Sequence, residues 1–458
     1  MNGMVKTLFA AASLAAACTG RSEFSAGFAR TAINPPLGSN IPGYFEDRRV
    51  EGVLDDIEAN AIAISDGTNS AVLVSLDLVE IKGLSTSYRN RIASGTGLRP
   101  EAVYLACTHT HTGGNVGKDA DSYEICFDSD SAYDEEVGEK LVKVCRAALA
   151  DMKPAAIRIG RTECPGISFI RRYRMKDGSS RTNPGVNCPD VVAPIGDADD
   201  EVQIVRFVRS GAPEILLVNF QTHPDVIGGC RISADWPGFT RRILERALDD
   251  GTVCVLFNGA QGDSNHVNIH PDPEAERLGK YARSRRIGRA LAGAVLGAHG
   301  QCRPVEAGAV RCAVREIALP LRERNAAELA AAEADWALFK SGRGKEIKGH
   351  GRLVEAARIV RIANEPDEIP FPVSAIAVGD ALCFTGLPCE PFTEIGRNVK
   401  KRSPFRMTVF TCLTNGSFGY LPTAEGCTGM SYESISTIFA PAAAGVATSA
   451  QLDILRSL

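Results

Sequence analysis

Short apolar runs alternate with longer amphipathic stretches along this chain, and no unit of fixed length repeats. Apolar runs of roughly four to eight residues predict buried strands, and apolar positions three and four apart over longer stretches predict helices. The predicted strands are Ala61–Ser65, Ala71–Leu78, Ala102–Cys107, Ala155–Gly160, Val202–Val208, Glu214–Phe220, Val253–Phe257, Ala307–Leu319, Val373–Val378, Ala381–Phe384 and Met407–Cys412. The predicted helices are Asp134–Met152, Pro237–Leu248, Leu278–His299 and Ala326–Phe339. This pattern predicts the α/β (α+β) class, with mixed β-sheets flanked by helices.

The chemically informative segments spread from about residue 40 to about residue 435, and no Pro/Ser/Gly-rich linker divides them. We therefore expect residues 24–458 to form a single composite catalytic domain. The alanine-rich stretch Ala326–Phe339 has high helix propensity but matches no motif, so we interpret it as an insertion or outer layer.

The N-terminus has the pattern of an export signal. Lys6 precedes the apolar run Leu8–Cys18, which is about half the roughly 20 residues that a membrane-spanning helix needs. Residues 1–20 therefore predict a signal peptide rather than a transmembrane segment, and a periplasmic or secreted protein. Cys18 follows three alanines, so a lipid anchor there is one variant of this hypothesis. The alternative is a cytoplasmic protein with an N-terminal extension.

Composition excludes some classes of function and leaves others open. The chain has 51 basic and 55 acidic residues, a net charge of −4, and no Lys/Arg-rich run. Nucleic acid is therefore not expected as a partner. Its 14 cysteines include no CxxC pair, which argues against a zinc ribbon or a thioredoxin-like site. The redox state of the cysteines and the oligomeric state stay open.

Histidine is scarce, and two of the 7 histidines lie at one strand exit. The predicted strand Ala102–Cys107 leads into Thr108-His109-Thr110-His111. Residues two apart in extended backbone face the same side, so the two imidazoles could converge on a metal. The alternative is a polar strand end without a ligand.

Other predicted strands end in the same way. Glu214–Phe220 leads to His223, and Val253–Phe257 leads to a Gly-rich loop with Asp263 and His266. Asp235 follows His223 and could act as a helix N-cap or orient a ligand histidine. Asp263 could also orient a ligand histidine. Strands that end in polar loops are typical of an active-site rim on a rigid sheet.

The C-terminal third adds oxygen donors to this set. Ala381–Phe384 leads into a turn that contains Glu390, and two loops further on present Tyr420 and Tyr432. Each tyrosine alone is typical of packing. Together with the histidines, these residues could complete a metal site of nitrogen and oxygen ligands.

The motifs taken in order resemble the catalytic domain of neutral/alkaline, non-lysosomal ceramidases. They are Asn34-Pro35-Pro36-Leu37-Gly38, Gly43-Tyr44, Val74-Ser75-Leu76-Asp77-Leu78, Thr108-His109-Thr110-His111, His223, Leu387-Pro388-Cys389-Glu390 and Gly419-Tyr420. The likeness extends from about residue 26 to about residue 442. It implies one Zn²⁺ per chain, hydrolysis of the amide bond of ceramide, and a place in sphingolipid metabolism.

The resemblance also implies roles for individual residues. The zinc ligands would be His109, His223, Glu390 and Tyr420. The catalytic residues would be His111, Tyr432 and Arg171, with Arg172 as the register alternative for the arginine. One departure concerns the active-site serine of the family: Asn265 occupies its position, and Ser264 is one residue out of register.

The predicted function is zinc-dependent hydrolysis of a linear amide, in a small-molecule or lipid N-acyl substrate. Zinc lowers the pKa of a bound water to about 7, so that hydroxide can attack the carbonyl. Arg171 or Tyr432 would stabilise the oxygen that gains charge, and His111 would pass a proton to the leaving amine. The alternatives are a metal-dependent esterase or lactonase acting on a small polar substrate, and a non-catalytic exported protein that binds lipid or glycan.

Overall fold

The computed structural model describes residues 24–118, 127–271 and 277–458. The predicted signal peptide, residues 1–20, lies outside the described residues, as does Cys18. In the part of the chain that is described, no helix is both long and apolar enough to cross a bilayer.

Two mixed sheets form the centre of the molecule. The larger has nine strands: β1 Ser25–Ala32, β2 Glu58–Ser65, β3 Ser70–Leu76, β4 Val103–Cys107, β5 Lys153–Glu163, β6 Glu201–Arg209, β7 Ile215–Phe220, β8 Val253–Asn258 and β9 Arg303–Val305. Their order is β8-β7-β6-β5-β1-β2-β3-β4, and β9 pairs with β5. The pairs β3/β4 and β7/β8 are parallel, whereas the other pairs are antiparallel.

The smaller sheet has the order β10-β11-β12-β13 and is formed by β10 Val310–Pro320, β11 Glu368–Val378, β12 Leu382–Gly386 and β13 Met407–Thr411. Only β12 and β13 in it run parallel. Shorter strands pair around these two sheets at Asn40–Ile41, Arg48–Arg49, Gly52–Val53, Phe169–Ile170, Arg172–Met175, Ser180–Thr182, Val191–Pro194, Arg231–Ile232, Ser264–Asn265, Glu390–Pro391 and Tyr420–Leu421.

Helices cover the outer faces of both sheets. They are α1 Ser85–Thr96, α2 Ser131–Ala150, α3 Asp235–Leu248, α4 Lys280–His299, α5 Ala326–Lys340, α6 His350–Ile362, α7 Thr393–Arg402, α8 Tyr432–Ser436 and α9 Ala443–Ser457. The predicted fold class, with mixed sheets and flanking helices, is confirmed, and the predicted strands and helices all correspond to elements of the structure.

The two sheets pack face to face. Leu73 of β3 points into a core shared with Phe384 and Val409 of the smaller sheet, whereas Val72 and Val74 point to a core shared with α1 and α2. Helices α3 and α4 pack on the other half of the same outer face, and α7 and α9 pack on the smaller sheet. Because the inner strands are buried on both faces, their sequences are continuous apolar runs.

The larger sheet curls until its edge strands approach each other, and this brings the polar strand exits together. The Ser75 hydroxyl donates to the carbonyl oxygen of Leu256 at 2.5 Å, and Asn258 Nδ2 donates to the carbonyl oxygen of Thr108 at 2.9 Å. These bonds join β3 and the end of β4 to β8. The loop that carries His109 therefore lies beside the loops that follow β7 and β8.

Candidate metal centre

Two histidines, a glutamate and a tyrosine meet where these loops converge with the smaller sheet. His109 follows β4, with His111 two residues further on, and His223 follows β7. Glu390 and Tyr420 are direct partners in a short parallel pairing, Glu390–Pro391 with Tyr420–Leu421. Elements distant in sequence thus place two imidazoles, a carboxylate and a phenol side by side.

Neighbouring donor atoms lie between 3.1 and 3.3 Å from one another. Glu390 Oε2 is 3.2 Å from His109 Nε2 and 3.1 Å from His223 Nε2. The hydroxyl oxygen of Tyr420 is 3.3 Å from His223 Nε2. All four side chains are buried.

Backbone carbonyls orient both imidazoles. His109 Nδ1 lies 2.8 Å from the carbonyl oxygen of Val79, and His223 Nδ1 lies 3.0 Å from that of Gln261 and 3.2 Å from that of Ser264. A carbonyl oxygen only accepts hydrogen bonds, so Nδ1 carries the hydrogen in each ring. The lone pair of each Nε2 therefore points to the common centre, the usual arrangement for metal-ligating histidines.

The Glu390 carboxyl is held in its ionised form. Burial opposes this charge, but protonated, positively charged His109 and His223 keep the pKa of Glu390 well below its usual range, and a cation bound by their neutral Nε2 atoms would act in the same direction. Gln261 adds a hydrogen bond from Nε2 to Glu390 Oε2 at 3.2 Å. An ionised carboxylate is the form that binds a metal.

His111 lies beside this group. Its Nε2 is 3.3 Å from His109 Nε2, whereas its buried Nδ1 has no hydrogen-bond partner among the residues that the structure describes. A Tyr44 ring lies 5.1 Å away between centroids, and a Cβ added to Gly43 would be 2.8 Å from His111 Nδ1. Burial, followed by the neighbouring His109, lowers the pKa of His111 well below its ordinary value.

Arg171 places a positive charge next to the donors. Its Nη1 lies 3.4 Å from His223 Nε2, and its guanidinium lies over the Tyr420 ring at 5.3 Å from the centroid. Its Nη2 donates to the carbonyl oxygen of Gly262 at 2.8 Å. Tyr432, the first residue of α8, has its ring 5.5 Å from the Tyr420 ring. The structure thus brings every predicted catalytic residue to the same place as the predicted ligands.

This donor set fits a zinc ion. Ligand atoms about 2.0–2.1 Å from a tetrahedral centre lie about 3.3 Å from one another, close to the separations described above. The Nε2 atoms and the ionised carboxylate are donors of the type that zinc prefers. His109, His111 and His223 are buried, and one ring nitrogen from each lies within 4.8 Å of the other two. This group could therefore hold a metal.

Comparisons with solved structures address the fold as a whole. The chain is similar to neutral ceramidase from Pseudomonas aeruginosa, with a TM-score of 0.73 and 19% sequence identity, over 95% of this chain and 74% of that chain. A ceramidase complexed with C2 gives a TM-score of 0.71 at 18% identity, over 94% and 75% of the two chains. This chain has the neutral ceramidase fold. The resemblance predicted from the sequence motifs is confirmed at this level.

Sequence comparisons do not detect the same similarity. No protein-family model and no curated protein sequence matches this chain. The neutral ceramidase fold is therefore visible here through the structure and through a few short motifs.

The predicted role of Asp235 and Asp263 in orienting ligand histidines is wrong, whereas Asp235 does bond a backbone N–H at the start of α3, as its alternative role as a helix cap implies. The carboxylate of Asp235 accepts hydrogen bonds from the backbone N–H groups of Ile227 and Trp236 and from the Ser284 hydroxyl. Asp263 accepts from the backbone N–H of Thr393. Neither orients a histidine, because backbone carbonyls already occupy both Nδ1 atoms.

Asn265, at the serine position of the neutral ceramidases, and the adjacent Ser264 bond neighbouring segments of the chain. Asn265 accepts from the backbone N–H of Val267 and donates to Asn183. Ser264 supplies its carbonyl oxygen to His223, while its hydroxyl is buried without a partner. Arg171 and Arg172 are both buried, whereas Arg174 and Lys176 further along the chain are exposed.

Sequence reasoning missed Gln261, Glu433 and Arg48. Gln261 bonds Glu390, and Glu433 pairs with Arg171 at 2.6 Å. Arg48 donates to the carbonyl oxygen of His111 at 2.8 Å, and its guanidinium lies over the Tyr44 ring at 4.3 Å. Glu433 directly follows Tyr432 in a segment that the sequence already indicated, whereas nothing in the sequence distinguishes Gln261 or Arg48.

Proposed function

We propose that this protein is a zinc-dependent amidohydrolase that cleaves the N-acyl amide bond of ceramide or a related lipid. The observation that supports it most directly is the convergence of His109, His223, Glu390 and Tyr420 in the neutral ceramidase fold. These four residues would hold one Zn²⁺. The names of the structural neighbours support an N-acyl lipid as the substrate class.

The ion and the chain have separate tasks in this proposal. Zinc at this centre supplies a Lewis acid that activates water and polarises a carbonyl oxygen. The chain orients the donors through the carbonyl oxygens of Val79, Gln261 and Ser264. Burial of the centre excludes bulk water and strengthens its electrostatic interactions.

Arg171 and Tyr432 are the proposed donors to the amide oxygen that gains negative charge. Both lie next to Tyr420, and Arg171 already carries a positive charge there. A single donor of this kind contributes about 3 kcal/mol to the stabilisation of the transition state. His111, beside His109, is the group that passes a proton to the leaving amine.

The experiment combines zinc analysis with turnover in a His223→Ala variant. We expect the purified wild type to contain one zinc per chain and to release fatty acid from a short-chain ceramide. His223→Ala should lose zinc affinity by more than about 100-fold, beyond the loss typical of an outer-shell partner, and should lose turnover with it. His270→Ala is the matched control, because this histidine is exposed and its ring bonds Asn187, away from the proposed ligands.

A panel of substrates separates this proposal from the other functions. A wild type that cleaves esters or lactones but no N-acyl amide would instead be a metal-dependent esterase or lactonase. A zinc-free protein that binds lipid or glycan without turnover would instead be a non-catalytic binding protein. An active, zinc-free His223→Ala enzyme would contradict the metal assignment itself.

Export completes the proposal and rests on the sequence of residues 1–20. The mature protein would begin near residue 20 in the periplasm or medium. Mass spectrometry of the natural protein measures this start directly, and a lipid at Cys18 would appear as added mass. A full-length protein in the cytoplasm would contradict export.

A further inference from the structure

Glu433 is the counter-charge of the arginine at the metal centre. Its side chain is fully buried, and its Oε1 lies 2.6 Å from Arg171 Nε. Its Oε2 accepts a hydrogen bond from the Thr182 hydroxyl at 2.7 Å. Arg172 Nε is farther from the same carboxylate, at 3.9 Å, and donates instead to the Ser431 hydroxyl at 3.0 Å.

The contacts of Arg171 show what this pairing achieves. Arg171 Nε lies against Glu433 Oε1 as an ion pair without hydrogen-bond geometry, and Nη2 is fixed by a hydrogen bond to the carbonyl oxygen of Gly262. Nη1 is the remaining corner, and it points to His223 Nε2 at 3.4 Å. A planar guanidinium held at two of its corners has little freedom left at the third.

Glu433 also belongs to the segment that carries Tyr432. Both residues lie in the first turn of α8, and the Tyr432 backbone N–H donates to the same Thr182 hydroxyl that bonds Glu433. One buried carboxylate thus connects Arg171, which lies between the short strands Phe169–Ile170 and Arg172–Met175, to the helix with Tyr432. The two proposed donors to the amide oxygen are joined through it.

We propose that Glu433 is a positioning residue that holds the Arg171 guanidinium in place beside His223 and Tyr420. This inference rests on the proposed function. Glu433 acts through Arg171 and does not itself touch the substrate. A displacement of about 1 Å at a reacting centre can lower the rate about 100-fold, so a loosened guanidinium should reduce turnover strongly.

The test is a double-mutant cycle with Glu433→Gln and Arg171→Met in the zinc-loaded, full-length enzyme. We expect each single variant to lower kcat by about 10- to 100-fold with a much smaller change in KM. The double variant should be no slower than Arg171→Met alone, because Glu433 has no further role once the guanidinium is gone. Zinc content should stay at the wild-type value in all three variants.

Binding of octanoate, a carboxylate of the product type, gives a readout without turnover. Calorimetry should show the same loss of affinity in Glu433→Gln and in Arg171→Met, with no further loss in the double variant. Glu214→Gln is the matched control. Glu214 also pairs with a partly buried arginine, Arg206, at 2.6 Å, but at the start of β7, at the opposite end from His223.

Folding provides a second line of evidence if Glu433→Gln alone does not fold. Removing one partner of a buried ion pair is far more harmful than removing both. We then expect the double variant to fold again, which would support the pairing. A double variant that also fails to fold would overturn the inference.

The remaining outcomes separate this inference from the proposed function. An active wild type in which the losses from Glu433→Gln and Arg171→Met multiply would contradict the role of Glu433 alone. Unchanged kcat in a folded Glu433→Gln would do the same. A wild type that holds no zinc and cleaves no N-acyl amide contradicts the proposed function, and the inference falls with it.

Discussion

His109 has a backbone φ of +71°, in the left-handed region that residues with a side chain seldom adopt. Such a conformation costs about 1–3 kcal/mol and persists only where the surroundings enforce it. Here the backbone N–H of His109 donates to the carbonyl oxygen of Leu78 at 2.9 Å, and Nδ1 is bonded to Val79. The strain at this residue turns the imidazole to the centre where the other donors meet.

Gln261 gives a prediction at the same scale. Gln261→Ala removes the hydrogen bond to Glu390 Oε2 and should weaken zinc affinity about 10- to 100-fold, as loss of an outer-shell partner does. Competition with a chromophoric chelator measures this affinity. The exposed Gln301 donates to the carbonyl oxygen of Gly297 at the end of α4, so Gln301→Ala should bind zinc like the wild type. Equal affinities in the two variants would show that Gln261 does not support the centre.

At the residue scale, part of the site could be predicted from the rarity of histidine and from the order of the family motifs. His109 and His111 stood out because histidine is rare in this chain, and Glu390 and Tyr420 stood out through the order of the family motifs. The partner of Asp263 was not predictable. Its hydrogen bond goes to the backbone N–H of Thr393 at the start of α7, and only the path of the chain brings that group within reach.

At the scale of elements, Asp263 connects the loop after β8 to the start of α7. Its Oδ1 accepts from the Thr393 backbone N–H at 2.7 Å, which satisfies a donor at the helix N-terminus. Burial raises the pKa of Asp263 to about 6, although the Thr393 hydrogen bonds act in the opposite direction. A carboxyl with a raised pKa binds its proton more tightly in the folded than in the unfolded protein.

This shift predicts a pH dependence of stability. The contribution of Asp263 is most favourable below its unfolded pKa of about 4 and is lost as the pH rises through about 6. The loss amounts to about 3 kcal/mol at 1.36 kcal/mol for each pKa unit. Asp263→Asn keeps the acceptor for Thr393 and should remove this dependence, as measured by urea unfolding between pH 4 and pH 7. A variant whose unfolding free energy changes with pH as the wild type's does would contradict the assignment.

Three of the helices that the sequence patterns missed, α1, α7 and α9, have few large apolar side chains. Helix α1 is rich in Ser, Thr and Arg and buries few apolar side chains, and α9 is built mainly from small residues. Helix α7 buries only Ile395 and Val399 of its apolar residues. Their stability comes from packing on the sheets, which a local pattern does not reveal.

On the scale of the whole molecule, the two sheets share one core and should unfold together. Phe384 of β12 is 1% exposed and packs in the layer between the sheets. Phe384→Ala should lower the free energy of unfolding by about 3–5 kcal/mol. Val208→Ala on the exposed side of β6 should change it by less than about 0.5 kcal/mol.

Calorimetry and circular dichroism with these two variants test the shared core. One cooperative transition that shifts as a unit in Phe384→Ala is the expected result. Two separate transitions, of which only one shifts, would show that the sheets are independent.

The fold class, with buried sheets and flanking helices, could be predicted from the sequence. The curvature of the larger sheet could not. Apolar runs indicated strands that are buried on both faces, and the long amphipathic segments indicated flanking helices. The curl of the larger sheet depends on bonds such as Ser75 to Leu256, which join residues far apart in sequence. Because that curl brings the histidine loops together, the site could be expected from its residues but located only in three dimensions.

X-ray absorption at the zinc edge of the purified protein tests most directly the claim that His109, His223, Glu390 and Tyr420 share one metal ion. We predict one zinc per chain with only nitrogen and oxygen neighbours at about 2.0–2.2 Å, and loss of the bound zinc in His223→Ala. A zinc–sulfur distance of about 2.3 Å, from cysteines such as the buried Cys389 and Cys412, or a protein that retains no zinc, would contradict it.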